Sequence, residues 1–248
     1  MKLVALAGIV CACAASLAAG ITQNGMKVDP ATTGTVSGRV MFDGVPPARA
    51  KLRVDANPYC LNTVGPTVLS EAVVTGDRGA LRNVFVYVKD GLDKNYSFDL
   101  PPAVAMLDQH GCQFAPHVMG VQVGQPLVIV NSDATLHNVH GHTAANQPFN
   151  IGQPMAGMRS EFTFTKEEVM IPLKSDIHSW MSAYVGVLPH PFFAVSGDDG
   201  SFTIGGVPSG SYVIEAWHET LGTTSEQVVV NAGQTSSVSF TFSSRAAR

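Results

Sequence analysis

The run Lys174-Ser175-Asp176-Ile177-His178-Ser179-Trp180-Met181 stands between two apolar segments, Val169 to Leu173 and Ala183 to Leu188. Short apolar runs on either side of a polar connection read as strand, loop, strand. Inside the loop an imidazole and a thioether stand three residues apart, at His178 and Met181, and Ser175 stands three residues before the histidine. Both His178 and Met181 can donate to a metal ion. A serine hydroxyl stays protonated near neutral pH and is a poor ligand beside a thiolate.

A second imidazole must come from elsewhere. His137-Asn138-Val139-His140 follows the apolar strand Pro126 to Asn131 and its polar end Asn131-Ser132-Asp133, which puts His137 at a sheet end. Two imidazoles with a thioether suit copper, because imidazole binds both oxidation states and thioether favours Cu(I). The candidate metal ligands are therefore His137, His178 and Met181. His117, which begins the strand at Val118, would join them if that strand ran antiparallel to Pro126–Asn131. His140 is a further candidate, although it faces away from His137 in an extended strand. Trp180 is read as packing that shields the loop. His110, His190 and His218 have no companions at ligand spacing.

The chain has 248 residues, of which 45% are hydrophobic and 14% charged, so it can bury a sizeable core. A net charge of −4 without a basic run argues against nucleic acid as a partner. The 24 Gly and 15 Pro imply many turns and favour an all-β fold, and no segment carries a helical period. Met1-Lys2 followed by an apolar, Ala-rich run to Ala19 has the form of a secretory signal over residues 1–20, cleaved near Ala18 to Gly20. A retained membrane anchor, or a lipoprotein modified at Cys13, is the alternative. No later stretch could span a bilayer with a helix, so no membrane span is expected after cleavage. The expected location is secreted or periplasmic. Cys11 and Cys13 belong to the signal, which leaves Cys60 and Cys112. In an exported chain these two most simply form one disulfide; the alternative is a thiol that joins the metal site.

The rest divides into three β blocks. Residues 21–33 read as a polar linker. In the first block Thr35 to Phe42 alternates, Leu52 to Val54 is a short strand, and Asn83 to Val88 is apolar enough to be covered on both faces. The second block holds Val118 to Val123, Pro126 to Asn131 and His137 to His140. A polar loop then runs to Gly157, followed by the alternating Glu161 to Thr165 and the two strands around Ser175–Met181. In the third block Asp198-Asp199-Gly200 reads as a hairpin turn between Phe193–Val195 and Ser201–Ile204. Tyr212 to Trp217, Gln227 to Val230 and Ser237 to Phe242 follow as strands.

On His137-Asn138-Val139-His140 and the spacing Ser175-x-x-His178-x-x-Met181, the middle block resembles the cupredoxins. Amicyanin and plastocyanin are such proteins, and exported proteins described as methylamine-utilisation-like form part of the wider set. The resemblance covers roughly residues 110–190. It implies a Greek-key sandwich, copper held by His137, His178 and Met181, and a Cys at the position that reads Ser175. It also implies electron transfer with a redox partner. Without the thiolate, copper carriage with a copper-transfer partner is the form of that function left open. Asp199-Gly200-Ser201-Phe202 and Val207-Pro208-Ser209-Gly210-Ser211-Tyr212 resemble the transthyretin-like, carboxypeptidase-regulatory-like sandwich, whose opening Gly-x-Val-x-Gly-x-Val strand has its counterpart at Gly34 to Val40. These resemblances lead to an all-β expectation: a cupredoxin-like sandwich over 101–190, inserted in or joined to a transthyretin-like sandwich built from 34–100 and 191–246. The competing function is a metal-free structural or carbohydrate-binding module facing a cell-envelope glycan. No nucleophile triad, phosphate loop or acid/base carboxylate pair is evident, so the chain is not expected to be an enzyme.

Overall fold

The computed structural model describes residues 25–54 and 57–243; the signal-type segment 1–20, with Cys11 and Cys13, lies outside them. The strands are β1 (Thr33–Asp43), β2 (Lys51–Arg53), β3 (Thr67–Leu69), β4 (Phe85–Asp90), β5 (Ala105–His110), β6 (Gln113–Ala115), β7 (Val118–Gln122), β8 (Pro126–Asn131) and β9 (His137–Gly141). They continue as β10 (Phe149–Gln153), β11 (Arg159–Thr163), β12 (Glu168–Lys174), β13 (Ser182–Leu188), β14 (Phe193–Val195), β15 (Ser201–Pro208), β16 (Gly210–His218), β17 (Gly222–Val230) and β18 (Thr235–Ser243). A short α-helix, α1 (Pro58–Val64), lies between β2 and β3. The all-β class expected from the turn-rich composition holds.

Two sheets, ordered β10-β9-β12-β13-β7 and β11-β8-β5-β6, share one core that includes Leu107, Leu127, Ile129, Phe164, Leu173 and Val185. Two others, β15-β1-β18 and β14-β4-β16-β17, share a second core with Val36, Val40, Val86, Ile214, Phe240 and Phe242. Strands from both ends of the chain build this second core: β1 pairs antiparallel with β15 and parallel with β18, and β4 pairs with β14 and β16. Its β4 is buried on both sides. Val84, Val86 and Val88 face the second core, while Phe85 and Tyr87 pack on Val118, Met170 and Leu188 of the other pair of sheets. Gly120 and Gly186 form the floor under Phe85; a Cβ on either would come within 2.7 and 2.5 Å of its ring.

Several local expectations need correction. Segment 149–153, expected in a polar loop, is β10, because its pairing with β9 satisfies the backbone there. The turn at Gly197–Ser201 is tight, with Gly200 N donating to Gly197 O at 2.9 Å, but β14 and β15 leave it into different sheets and do not form a hairpin. β7 does not run against β8. It pairs parallel with β13, while β8 pairs with β11 and β5, so the geometric argument for bringing His117 to His137 fails. The expected linker 21–33 is partly docked, with Met26 bridged to Tyr96 and Lys27 paired to Asp99 at 2.5 Å. The helix α1 had no period to betray it. Its signal is the start alone: Asn57 caps Cys60 N at 3.1 Å, and Pro58 occupies the first turn, where a missing N–H costs nothing.

Candidate metal centre

His137 begins β9 and His178 sits in the connection between β12 and β13, with β9 and β12 paired side by side. That pairing brings the two rings together. His137 Nδ1 lies 2.9 Å from His178 Nδ1, the ring planes are 76° apart, and the residues are 0% and 1% exposed. Each outer ring nitrogen has a partner. His137 Nε2 lies 2.8 Å from Asp133 Oδ2, and His178 Nε2 lies 3.3 Å from Asn57 Nδ2.

The donors can be followed through this row. Asn57 Oδ1 accepts from Cys60 N, which fixes the amide so that its Nδ2 donates to His178 Nε2. A neutral imidazole has one N–H, so His178 then donates through Nδ1 to His137 Nδ1, and His137 donates through Nε2 to Asp133. The tautomers are assigned from this network. Asp133 ends the row with a full set of donors: Oδ1 accepts from Gly111 N at 2.9 Å and Tyr59 Oη at 3.3 Å, and Oδ2 accepts from Cys112 N at 2.7 Å besides His137. Burial alone would raise its pKa, but the Cys112 N–H, His137 and Gly111 N–H hold it below the usual carboxylate value. Gly111 and Cys112 both have positive φ, 59° and 54°, and form the two-residue turn between β5 and β6. Cys112 is unusual in that region, and a disulfide to Cys60 holds it.

Cys112, Asp133 and His137 have donor atoms within 4.8 Å of one another. The sulfur is already spent in the disulfide and the carboxylate is saturated, so this trio reads as bracing behind His137. Two donor atoms directed at each other, the Nδ1 pair, make the stronger ligand set. Two nitrogens about 2.0 Å from one ion are about 3.3 Å apart at a tetrahedral angle, so the rings need to part by only a few tenths of an ångström. His137 is held in the manner of a metal-bound histidine, its second nitrogen donating to a carboxylate. The second nitrogen of His178 instead accepts from Asn57 Nδ2, and an ion on its Nδ1 would require that amide to turn. The Nδ1 pair is a donor set of the kind that imidazole-preferring transition metals take.

Ser175 occupies the position where the resemblance expects a thiolate. Its Oγ donates to Asn138 Oδ1 at 2.8 Å and accepts from His178 N at 3.0 Å and Ile177 N at 3.2 Å. The loop closes with Met181 N on His178 O at 2.9 Å. Met181 is buried in the first core and lines a cavity of about 40 Å³ together with Trp180, His117 and Glu219. Trp180 donates from Nε1 to Cys112 O at 2.8 Å and lays its ring 4.9 Å from that of His178.

His117 and His140 are not brought to the pair. His117 is bound at Nδ1 to Ser182 O (3.0 Å) and at Nε2 to Glu219 Oε1 (2.6 Å), with Glu71 Oε2 3.7 Å away. Burial would depress its pKa; the Glu219 hydrogen bond and the charges of Glu219 and Glu71 raise it instead. His140 faces outward onto Asp176, both carboxylate oxygens 3.1 Å from its Nδ1. Asn57, Asp133 and Asn138 are the functional neighbours that spacing did not single out. In the sequence Asn131-Ser132-Asp133 reads only as the polar end of a strand, and neither Asn57 nor Glu219 is singled out.

No family model matches the chain, and no curated protein does. Solved structures similar to part of it include a Cu-containing nitrite reductase from Thermus scotoductus SA-01, at 24% identity over 37% of this chain, TM-score 0.33. The chain spans only 24% of that reductase's length. A purple cupredoxin from Nitrosopumilus maritimus is 20% identical over 34% of this chain and 98% of its own, TM-score 0.29. An amicyanin variant in the Cu(I) state is 17% identical over 41% of this chain and 97% of its own, TM-score 0.31.

Proposed function

We propose that the chain is an exported copper-binding protein that holds the ion between His137 and His178. The observation that carries this is the buried Nδ1–Nδ1 approach of 2.9 Å, with Asp133 and Asn57 behind the two rings. Copper held there would supply one-electron exchange or simple carriage. Asp133 orients His137 and, as a nearby anion, favours a bound cation. An ion on His178 Nδ1 moves that ring's proton to Nε2, so Asn57, whose Nδ2 faces Nε2, must turn its amide or withdraw to let the ion in. Met181, three residues after His178, is assigned to the set from its spacing alone; its side chain lies in the first core and lines the cavity beside His117. The loss of the covalent thiolate at Ser175 favours carriage to a copper-transfer partner over rapid exchange with a redox partner. On this reading the second sandwich is a transthyretin-like scaffold, and the chain is not an enzyme.

The test is titration with Cu(I) against a chromophoric chelator, repeated on His137→Ala and His178→Ala. Tight binding to the parent, lost in both variants, is expected; equal binding by all three overturns the assignment. Ser175→Cys should add an intense visible thiolate–copper band. One observation favours a second reading. The row Asn57–His178–His137–Asp133 is complete as hydrogen bonds, as a metal-free structural or glycan-facing module would require. Under that reading no variant changes copper uptake.

A further inference from the structure

Residues Asn138, His140 and His142 alternate along β9 and its continuation, so they share the face opposite to His137, Val139 and Gly141. The ring of His142 stacks on that of His140, with centroids 4.1 Å apart and planes at 29°. The carboxylate of Asp176 meets His140 Nδ1 at 3.1 Å. Asn150 Nδ2 steers Asp176 by donating to its Oδ2 at 2.6 Å, and Asn138 Nδ2 lies 3.4 Å from the same oxygen. Lys174, paired with His140 across the sheet, is turned away, its Nζ 5.6 Å from the centre of the Tyr184 ring.

We propose that His140, His142 and Asp176 form a second, solvent-facing site for a divalent transition-metal ion such as Cu(II). Two imidazoles at i and i+2 on one strand face, with one carboxylate, make a donor set that such ions prefer. His142 is exposed and His140 partly so, so the rings can turn to present nitrogens without opening the core. The site is linked to the buried pair by one side chain. Asn138 Oδ1 accepts from Ser175 Oγ, Asp176 N and Ile177 N, at 2.8, 3.0 and 3.3 Å. An ion drawn to Asp176 therefore acts on the same loop that carries His178.

The experiment is calorimetric titration of the untagged chain with Cu(II), compared with His140→Ala/His142→Ala and with His137→Ala/His178→Ala. The outer-site variant should lose one equivalent of ion that the inner-site variant keeps, and Asp176→Asn should weaken that equivalent about tenfold or more. An outer-site variant that binds with unchanged stoichiometry and affinity overturns the proposal, as does a parent chain that binds no Cu(II). Loss confined to the outer-site variant supports this site while removing the buried one. Loss confined to the inner-site variant does the reverse.

Discussion

Ser175 shows how one oxygen can hold a loop. Its hydroxyl is buried and joins Asn138 to the backbone of Ile177 and His178. Replacing it by Ala leaves those buried groups short of partners and should cost about 1–3 kcal/mol, read from urea unfolding. Asp133→Asn should cost at least as much, because an amide cannot accept from Gly111, Cys112, Tyr59 and His137 together. An unchanged unfolding midpoint in both variants would mean that water replaces these bonds freely. The meeting of His137 and His178 was legible in the sequence because each sits in a short motif beside a strand. Asp133 and Asn57 were not, because their role depends on which ring nitrogen they meet after folding.

The segment with α1 acts as a cover. Asn57 reaches His178, Tyr59 reaches Asp133, and Cys60 is bonded to Cys112, so three successive contacts tie it over the histidine pair. The disulfide closes a separation of 52 residues. Replacing both cysteines by serine should lower stability by about 2–5 kcal/mol in chemical denaturation. It should also raise hydrogen exchange in α1 before exchange rises in β9 or β12. Exchange unchanged in α1 would assign the cover's hold to its other contacts. Alternation revealed most strands, but it named no partners. That is why β7 was set against β8, and why β14 and β15 were read as one hairpin. A strand's period follows from its own residues; its neighbour follows from the whole core.

The two pairs of sheets meet at ionisable groups as well as at Phe85. His117 faces Glu219, Glu71 and Tyr184, whose pKa is pushed up to about 12 by burial and by Glu219. The raised pKa of His117 means that its contribution is fully present below about 6.5 and is lost as pH climbs through the folded value. Glu219, lowered by His117 although burial opposes this, contributes above about 4.5 and is lost as pH falls through its folded value. Burial holds His190 and His218 at about 4, so between 6.5 and 4 the unfolded chain takes up protons that the folded one refuses. Each of the latter two should lower stability on the order of 1 kcal/mol per pH unit there. Thermal stability should thus peak near pH 6.5 and fall on both sides, and His117→Gln should flatten the alkaline side. A parent profile flat from pH 6.5 to 8.5 would remove His117 from that role.

Phe85 also decides what can be cut from this molecule. It is fully enclosed, it belongs to β4, and its ring rests on Gly120 and Gly186. Even Gly186→Ala should cost about 1–3 kcal/mol by crowding that ring. Residues 101–190 produced alone would lack the aromatic plug, Asn57 and Cys60. Such a truncated product should come out of expression sticky and cross-linked through an orphaned Cys112 thiol. Anyone wanting a minimal version of the histidine pair has to retain the amino-terminal strands that stopper it.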